Sequence, residues 1–375
     1  MSVVIILLLM GVLAFANGAN DNGKGVATLV GFGAARPRDA LIWAALTTAI
    51  GAGISFWFSG GLIKSFSTAL FADGTALDTS LFTAVLIGAF GWVIIATATG
   101  LPVSTTHAIT GAIVGAGVVG FGGGQIQWAD LWRRFALPLA LSPVLSMVCV
   151  YAAAWPVLFA VRRWADQCVC VVEWTEGEFA ADGMMLATPA APGVAVVSDS
   201  VENCHDAAPV AAITTASAAD VIHWTSGGFV VFARGWNDAP KIAALCIGAF
   251  TVAGVPHGPV LAFVIVTFAM GVGGLVAGRK VLETLSHKVT PLPLAESLTA
   301  SVTTASLVSA ASWLGLPVST THVSTGAIVG AGLKNNPTAV RWWKVGEIAL
   351  SWLVTLPIAA ILAATAMLAI SYATA

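Results

Sequence analysis

The chain is poor in charge. Only 9% of its 375 residues are Asp, Glu, Lys or Arg, whereas a soluble globular protein carries about a quarter. This scarcity excludes an ordinary soluble domain, and a net charge of −2 offers nothing to attract nucleic acid. The five cysteines have no framework spacing, so a disulfide-stapled fold is not indicated either.

Apolar residues take the place of charge. They make up 58% of the chain, and the mean hydropathy is +0.90. Most of the long apolar runs reach the roughly 20 residues that a helix needs to cross a bilayer, and lipid forces backbone groups to bond internally. The first run lacks the basic n-region of a signal peptide, so we expect a retained helix. An all-α polytopic membrane protein is therefore predicted. The runs are Met1–Ala16, Leu41–Phe58, Leu81–Ala98, Phe135–Val161, Val260–Ala277, Leu298–Leu314 and Ile348–Ile370.

An eighteen-residue segment occurs twice. Residues 100–117 read GLPVSTTHAITGAIVGAG and residues 315–332 read GLPVSTTHVSTGAIVGAG, so sixteen of the eighteen positions agree at an offset of 215. Self-similarity of this kind indicates that the chain is built from two related halves.

A second pair of segments precedes the first in each half. Residues 15–24 read FANGANDNGK and residues 232–241 read FARGWNDAPK, at an offset of 217. Asn17 in the first half corresponds to Arg234 in the second. Each half thus carries an Asn-Asp-x-x-Lys segment and, about 80 residues later, a Ser-Thr-Thr-His segment.

Different material separates the halves. Residues 164–225 hold nine of the eighteen acidic residues and no Lys or Arg, which predicts a soluble, acidic insert outside the membrane. We expect a first membrane repeat at 1–161, the insert at 162–225 and a second membrane repeat at 226–375. About five spans in each repeat would invert the second relative to the first. Two inverted repeats with broken or re-entrant helices are the usual plan of secondary transporters.

The Asn-Asp-x-x-Lys segments put acids into apolar sequence. A carboxylate at membrane depth costs roughly 2.5–3.5 kcal/mol on insertion scales, so Asp21 and Asp238 need partners and are functional candidates. Lys24 and Lys241 follow three residues later, near enough to pair on a helix. We expect the surrounding Gly, Asn and Pro residues to break the helices there and provide a polar lining. Salt-bridged helix ends just outside the membrane are the plainer alternative.

The Ser-Thr-Thr segments follow Leu-Pro and are predicted to begin helices. Their hydroxyls can cap those helices. They also supply donors beside the positive end of the helix dipole, which suits an oxyanion. Capping alone is the simpler interpretation, but it does not require the same three residues twice.

The insert contains metal-ligand residue types. Cys168, Cys170, Cys204 and His205 form the short patterns CVC and NCH. Thiolates and imidazoles suit zinc, but the spacing matches no standard zinc site, so no metal site is predicted.

The four repeated segments resemble the inorganic phosphate transporter (PiT) family, which includes sulfate permeases. The resemblance covers residues 1–161 and 226–375 and leaves out the insert. It implies an inverted-repeat transporter whose anion site is built from the Asn-Asp and Ser-Thr-Thr segments, with sodium or protons driving uptake. The family's usual run resembles GANDxANAxG, whereas this chain has lysine three residues after each Asp. With these lysines and Arg234, the predicted substrate-binding residues are Asn20, Asp21, Lys24, Ser104, Thr105, Thr106, Arg234, Asn237, Asp238, Lys241, Ser319, Thr320 and Thr321.

The predicted function is symport of inorganic phosphate by a multi-pass protein of the cytoplasmic (inner) membrane. A sulfate permease of the same family and a passive anion channel are the alternatives. An enzyme acting on a phosphorylated lipid is weakest, because the chain has no HExxH, nucleophile elbow or P-loop. No catalytic residue, metal or cofactor is expected. Phosphate and the lipid bilayer are the expected partners, and nucleic acid is not. The sequence leaves open whether the chain forms a homo-oligomer.

The basic residues bear on the coupling ion. A lysine ammonium has three donors and no acceptor, so it cannot coordinate sodium but can occupy the place of a cation. Asp21 and Asp238 give −2, and Lys24, Lys241 and Arg234 give +3, so the site has a net charge of +1. We therefore expect proton coupling without a need for sodium. We also expect phosphate over sulfate, because only phosphate keeps a proton that an Asp can accept in a hydrogen bond.

Overall fold

The computed structural model describes residues 3–163, 167–174, 193–206, 210–255 and 258–374. The chain divides into two compact units. One comprises Met1–Ala154 with Ser226–Ala375, and the other comprises Trp155–Thr225. The named elements of the first unit are helical, and the strands of the described residues lie in the second.

Helices follow one another closely through the first part of the chain. Asp78 caps α5 by accepting a hydrogen bond from the backbone N–H of Leu81 at 2.9 Å. The same helix ends at Gly100, whose φ of +74° favours glycine. A π-helical turn, Leu131–Ala136, joins α7 to α8. The helices are α1 (Val3–Gly25), α2 (Ala27–Phe32), α3 (Pro37–Phe58), α4 (Gly60–Ser67), α5 (Thr79–Thr99), α6 (Thr105–Phe121), α7 (Trp128–Asp130) and α8 (Leu137–Arg163).

The described residues of the insert form a small antiparallel sheet with the strand order β2-β1-β3. Residues 167–172 and 194–197 are rich in valine, and β-branched side chains fit a pleated surface. The prediction of an all-α chain is therefore wrong for this segment. The elements are β1 (Gln167–Trp174), β2 (Gly193–Ser200), α9 (Val201–Asp206) and β3 (Ala211–Thr214).

The last part of the chain is again helical. The first of its helices, α10, is 39 residues long and includes Pro240 in its interior. Gly315 has a φ of +68° in the turn that follows α13. It corresponds to Gly100, which also has a positive φ in the turn after α5. The helices are α10 (Thr215–Ala253), α11 (Gly258–Ala277), α12 (Arg279–His287), α13 (Leu294–Trp313), α14 (Thr320–Asn335) and α15 (Trp342–Thr374).

Six helical segments among the described residues are long and apolar enough to cross a membrane. Neither α10 nor α13 counts by this measure, because α10 carries the basic and acidic residues of its motif and α13 is rich in Ser and Thr. The six therefore do not reach five spans for each repeat. They are Val3–Gly25, Pro37–Phe58, Thr79–Thr99, Trp128–Val157, Gly258–Ala277 and Trp342–Thr374.

The Asn-Asp-x-x-Lys segments do not break their helices, contrary to the prediction. The first lies in the last turns of α1, and the second lies inside α10. The glycines serve close packing instead: a Cβ on Gly18 would lie 2.0 Å from the carbonyl oxygen of Met270 in α11. The chain leaves helical geometry elsewhere, notably in the Leu-Pro-Val-Ser segments that precede α6 and α14.

Helix packing brings these segments together. α1 packs against α11, α5 and α3, and it also touches α14. α6 packs against α15 and α5, while α14 packs against α13. Side chains at the polar end of α1 reach the first residues of both α6 and α14, since Asn17 contacts Thr105 and Lys24 contacts Thr321.

Candidate functional site

Two Asp–Lys pairs lie in the interior of the first unit. Asp21, Lys24, Asp238 and Lys241 each expose no more than 3% of their surface. Each lysine is ion-paired with the aspartate three residues before it, as the spacing predicted. Both pairs are therefore buried within the protein and not exposed to solvent. Buried charges of this kind are tolerated only when they are paired and hydrogen-bonded.

Oxygen atoms from both halves of the chain surround the Lys24 ammonium. It donates to the Asp21 carboxylate, to the carbonyl oxygen of Val103 at 2.6 Å and to the Thr321 hydroxyl at 2.6 Å. These three acceptors match the three donors of an ammonium group. Carboxylate, carbonyl and hydroxyl oxygens are also the ligand types of a hard cation.

Lys241 has the corresponding surroundings. Its ammonium donates to Asp238 at 3.0 Å, to the carbonyl oxygen of Val318 at 2.8 Å and to the Thr106 hydroxyl at 2.8 Å. The side-chain oxygen of Asn237 is a further acceptor. Each lysine thus reaches the Ser-Thr-Thr segment of the other half, since Lys24 meets Thr321 and Lys241 meets Thr106.

The hydroxyls of the Ser-Thr-Thr segments divide into two roles. Ser104 caps α6 by accepting from the backbone N–H of His107 at 3.2 Å, and Ser319 caps α14 in the same way at 3.3 Å. Thr106 and Thr321 are not used as caps. Thr106 donates to the carbonyl oxygen of Val318 at 3.1 Å, and Thr321 donates to that of Val103 at 2.8 Å. Capping therefore accounts for the serines but not for these threonines.

The middle threonines begin the two helices and are buried. Thr105 donates to the Asp21 carboxylate at 3.2 Å and accepts from the Asn17 amide at 2.9 Å. Thr320 has the equivalent position at the start of α14. The first backbone N–H groups of α6 and α14 have no acceptor within their own helix, and such groups favour anions.

Arg234 lies between the two aspartates. Its guanidinium is 3.5 Å from Asp21 and 3.7 Å from Asp238, and the residue is 1% exposed. It also donates to Asn22 at 2.6 Å and to Asn17 at 3.5 Å. Its Nε has no hydrogen-bond partner among the described residues. One fixed guanidinium thus stands beside both acids.

Asn20 and Asn237 position the segments around the site. Asn20 donates to Thr97 at 3.1 Å and to the carbonyl oxygen of Leu101 at 2.9 Å, and it accepts from the backbone N–H of Val103 at 3.2 Å. Asn237 donates to Ser312 at 2.9 Å. Ser312 corresponds to Thr97 at the offset of 215, so both asparagines anchor the helix that leads into a Ser-Thr-Thr segment.

Several residues of the site were outside the predicted set. Asn17 bridges Asp21 and Thr105, and Asn22 binds Arg234 as well as Thr48. Both asparagines lie in the first polar segment. The sequence did not show that their side chains are buried beside the charged residues. The carbonyl oxygens of Val103 and Val318, by contrast, carry no signal in the sequence, because they belong to the backbone.

The charges of this cluster do not cancel. Three cationic and two anionic side chains give a net charge of +1 in a volume that excludes bulk water. The N-terminal ends of two helices add further positive potential. The cluster is therefore suited to a small oxyanion, and the lysines already occupy the oxygen sets that a metal cation would use.

The chain is similar to known proteins over nearly its whole length. The sequence profile described as the phosphate transporter family matches residues 17–363. A Pyrococcus horikoshii protein named as a phosphate permease is 30% identical over 397 aligned positions, which cover 96% of each chain. A Rhizobium meliloti protein named as a low-affinity inorganic phosphate transporter is 29% identical and covers 95% of each chain. A solved structure described as the sodium-dependent phosphate transporter has the same fold, with a TM-score of 0.76, 23% identity and 99% of each chain covered.

Proposed function

The chain belongs to the phosphate transporter family, and we propose that it is a secondary transporter of inorganic phosphate in the cytoplasmic membrane. The observation that carries this proposal is the buried cluster of net charge +1 at the N-terminal ends of α6 and α14. A buried positive cluster attracts an anion, and helix N-termini supply N–H donors for its oxygens.

The two halves contribute to this site in matching ways. Lys24 binds Thr321 and Lys241 binds Thr106, and each threonine donates to a backbone carbonyl of the other half. Such reciprocal contacts are expected where two repeats meet at a shared site. They support an arrangement of two inverted repeats with phosphate bound between the Ser-Thr-Thr segments.

The aspartates favour phosphate over sulfate. Phosphate keeps a proton at neutral pH and can donate it to the Asp21 or Asp238 carboxylate, whereas sulfate has no proton and is only repelled. Sites that hydrogen-bond a substrate hydroxyl reject analogues without one by large factors. No feature of the site favours a sulfate permease or an open channel.

We propose protons as the coupling ions. In a sodium-coupled site, carboxylate, carbonyl and hydroxyl oxygens hold the ion. Here the ammonium groups of Lys24 and Lys241 lie within such oxygen sets. A divalent phosphate would bring the cluster from +1 to −1, and one proton on an Asp or on phosphate would neutralise it.

The test is uptake of labelled phosphate into proteoliposomes containing the purified chain. We expect saturable uptake and counterflow, with sulfate competing at least tenfold less well than phosphate. A rate that rises linearly with concentration and shows no counterflow would indicate a channel. Equal competition by sulfate would contradict the role of the aspartates.

A further inference from the structure

Three of the five cysteines meet in the interior of the insert. Cys168 and Cys170 lie two residues apart on β1, so their side chains point to the same face of the sheet. Cys204 comes from α9 and packs against both. The three sulfur atoms all lie within 4.8 Å of one another, and the residues are 1–2% exposed.

The spacing of the sulfurs suits coordination of a single ion. Thiolates at about 2.3 Å from a metal lie about 3.8–4.0 Å from each other in tetrahedral or trigonal geometry. Since the sulfurs lie within 4.8 Å of one another, the separations need to contract by at most about 1 Å to reach these values. Val172, Val197 and Val201 surround the sulfurs and shield them from water.

Simple packing explains the cluster less well. The unit spans Trp155–Thr225, and the single core of a domain of this size rarely supplies more than about 3–5 kcal/mol, so a disulfide or a metal often adds stability. The buried core described here consists of the three cysteines with valines around them. One disulfide would leave a third buried thiol unused, whereas one metal ion engages all three.

Burial, together with contact with Cys204, raises the pKa of Cys168 to about 11 and that of Cys170 to about 12. These two thiols are therefore neutral when no ion is present, and they are poor nucleophiles. A reactive or catalytic thiol is not the best interpretation of the cluster.

The donor set limits the choice of ion. Thiolates select soft ions such as Cu(I) and Zn²⁺ over hard ones. His205 is next to Cys204 in sequence, but its side chain is 90% exposed and faces Asp206 at 3.7 Å. Among the described residues, the cluster offers three sulfurs and no fourth ligand.

We propose that Cys168, Cys170 and Cys204 form a three-thiolate site for a soft d¹⁰ metal ion. Binding forms three metal–sulfur bonds and releases thiol protons to solvent, with no change of oxidation state. Cu(I) is satisfied by three sulfur ligands. Zn²⁺ needs a fourth ligand, and the described residues around the cluster offer none. The three cysteines belong to the unit Trp155–Thr225 and are not among the predicted phosphate-binding residues, so this proposal does not depend on the proposed transport function.

The experiment uses the full-length chain, purified in detergent with a reductant and freed of metal by a chelator. It is dialysed against Zn²⁺ in one arm and against Cu(I), kept reduced under nitrogen, in the other. Bound metal is then measured by elemental mass spectrometry. We expect one ion per chain in at least one arm, together with sulfur-to-metal charge-transfer absorption. Binding in neither arm would overturn the proposal.

Matched variants locate the ion. Cys168→Ser and Cys204→Ser should weaken binding at least tenfold. Cys246→Ser, which removes a buried thiol from α10, should leave it unchanged. Equal binding by Cys168→Ser and the parent chain would place the ion elsewhere and contradict the proposal.

A second measurement on the parent chain guards against misfolded variants. Alkylation followed by peptide mass mapping should show Cys168, Cys170 and Cys204 protected by metal and modified after chelation under mild denaturation. A cross-linked peptide pair that contains two of these cysteines and is lighter by two hydrogens would identify a disulfide and overturn the proposal.

Discussion

A lysine held in a set of oxygen ligands changes what a transport site requires from solution. The ammonium of Lys24 has two oxygen contacts of 2.6 Å besides its aspartate, and Lys241 has corresponding ones. Such an ammonium supplies its positive charge without drawing a cation from the medium. Its removal should create a requirement for a cation from the medium.

The lysine substitutions test this idea directly. For the parent chain we expect equal phosphate uptake in sodium and in choline, with stimulation by an inward proton gradient. Lys24→Asn with Lys241→Asn restores an oxygen acceptor at both positions but removes two positive charges. Uptake by this variant should either become dependent on sodium or be lost. Initial rates in proteoliposomes measure both effects.

Lys288→Asn is the matched control, because Lys288 is exposed and lies outside the site. It should behave like the parent chain in both ions. Strict sodium dependence of the parent chain would show that the lysines do not replace a coupling cation.

The cross-half threonines give a second residue-scale prediction. Thr106→Val and Thr321→Val keep the side-chain shape but remove a hydroxyl that binds an ammonium. A hydrogen bond to a charged group is worth about 1.5–3 kcal/mol, so the apparent affinity for phosphate should fall by roughly ten- to a hundredfold. Michaelis constants for uptake, normalised to the amount of folded protein, give the measurement.

Thr110→Val and Thr325→Val provide the controls one turn further along the same helices. Their hydroxyls are buried and have no hydrogen-bond partner among the described residues. They should leave the affinity nearly unchanged. If Thr106→Val instead lowers the yield of folded protein and the remainder binds phosphate normally, the hydroxyl is structural only.

At the residue scale, the sequence predicted the Asp–Lys ion pairs but not the contacts that each lysine makes with the other half of the chain. The spacing of three residues between Asp21 and Lys24 predicted an ion pair, because helical geometry alone determines it. That Lys24 would reach Thr321, 297 positions away, could not be read from any local pattern. It depends on the packing of α1 against α14, and such contacts are tertiary.

At the scale of elements, glycines determine how closely helices approach. A Cβ on Gly111 in α6 would lie 2.2 Å from the carbonyl oxygen of Leu356 in α15. Backbone atoms cannot move aside as a side chain would. Because α6 carries Thr105 and Thr106 at its start, any displacement of this helix would also move the site.

Gly111→Ala should therefore destabilise the fold by about 1–3 kcal/mol, the usual range for overpacking. Gly53→Ala in α3 is the control, since a Cβ there meets no atom within 4 Å. Alanine is the better helix former by about 0.8–1.0 kcal/mol, so this change should be neutral or stabilising. Thermal unfolding midpoints in detergent compare the two variants, and equal midpoints would argue against the close helix contact.

The elements themselves were only partly foreseeable. Six of the seven apolar runs lie in helices that are long and apolar enough to span a membrane, because length and hydropathy are local properties, whereas Leu298–Leu314 lies in α13, which is not among them. The Asn-Asp segments were wrongly expected to break their helices, because Gly and Asn have low intrinsic helix propensities. In α1 their polar groups find partners and Gly18 packs on a backbone, so tertiary contacts outweigh propensity.

For the whole molecule, the insert and the predicted site belong to different compact units. All predicted binding residues belong to the unit made of Met1–Ala154 and Ser226–Ala375. We expect phosphate uptake to survive replacement of residues 164–214 by a Gly/Ser linker of about 20 residues, which has a mean span of roughly 25 Å. Adding Thr106→Val to this variant should lower its apparent affinity for phosphate as much as it does in the full chain. A correctly inserted variant without uptake would assign the insert a part in transport.

A tethered ammonium balances charge but never crosses the membrane, and this limits the work that the transporter can do. Only mobile ions contribute to the charge moved in each cycle. A divalent phosphate carried with one proton moves one net negative charge inward, and an inside-negative potential of about 100 mV opposes that by about 2.3 kcal/mol. This is roughly fifty-fold in accumulation, so such a cycle must rely on the pH gradient or on abundant external phosphate. Two protons would make the cycle electrically silent, and a third would allow the potential to drive it.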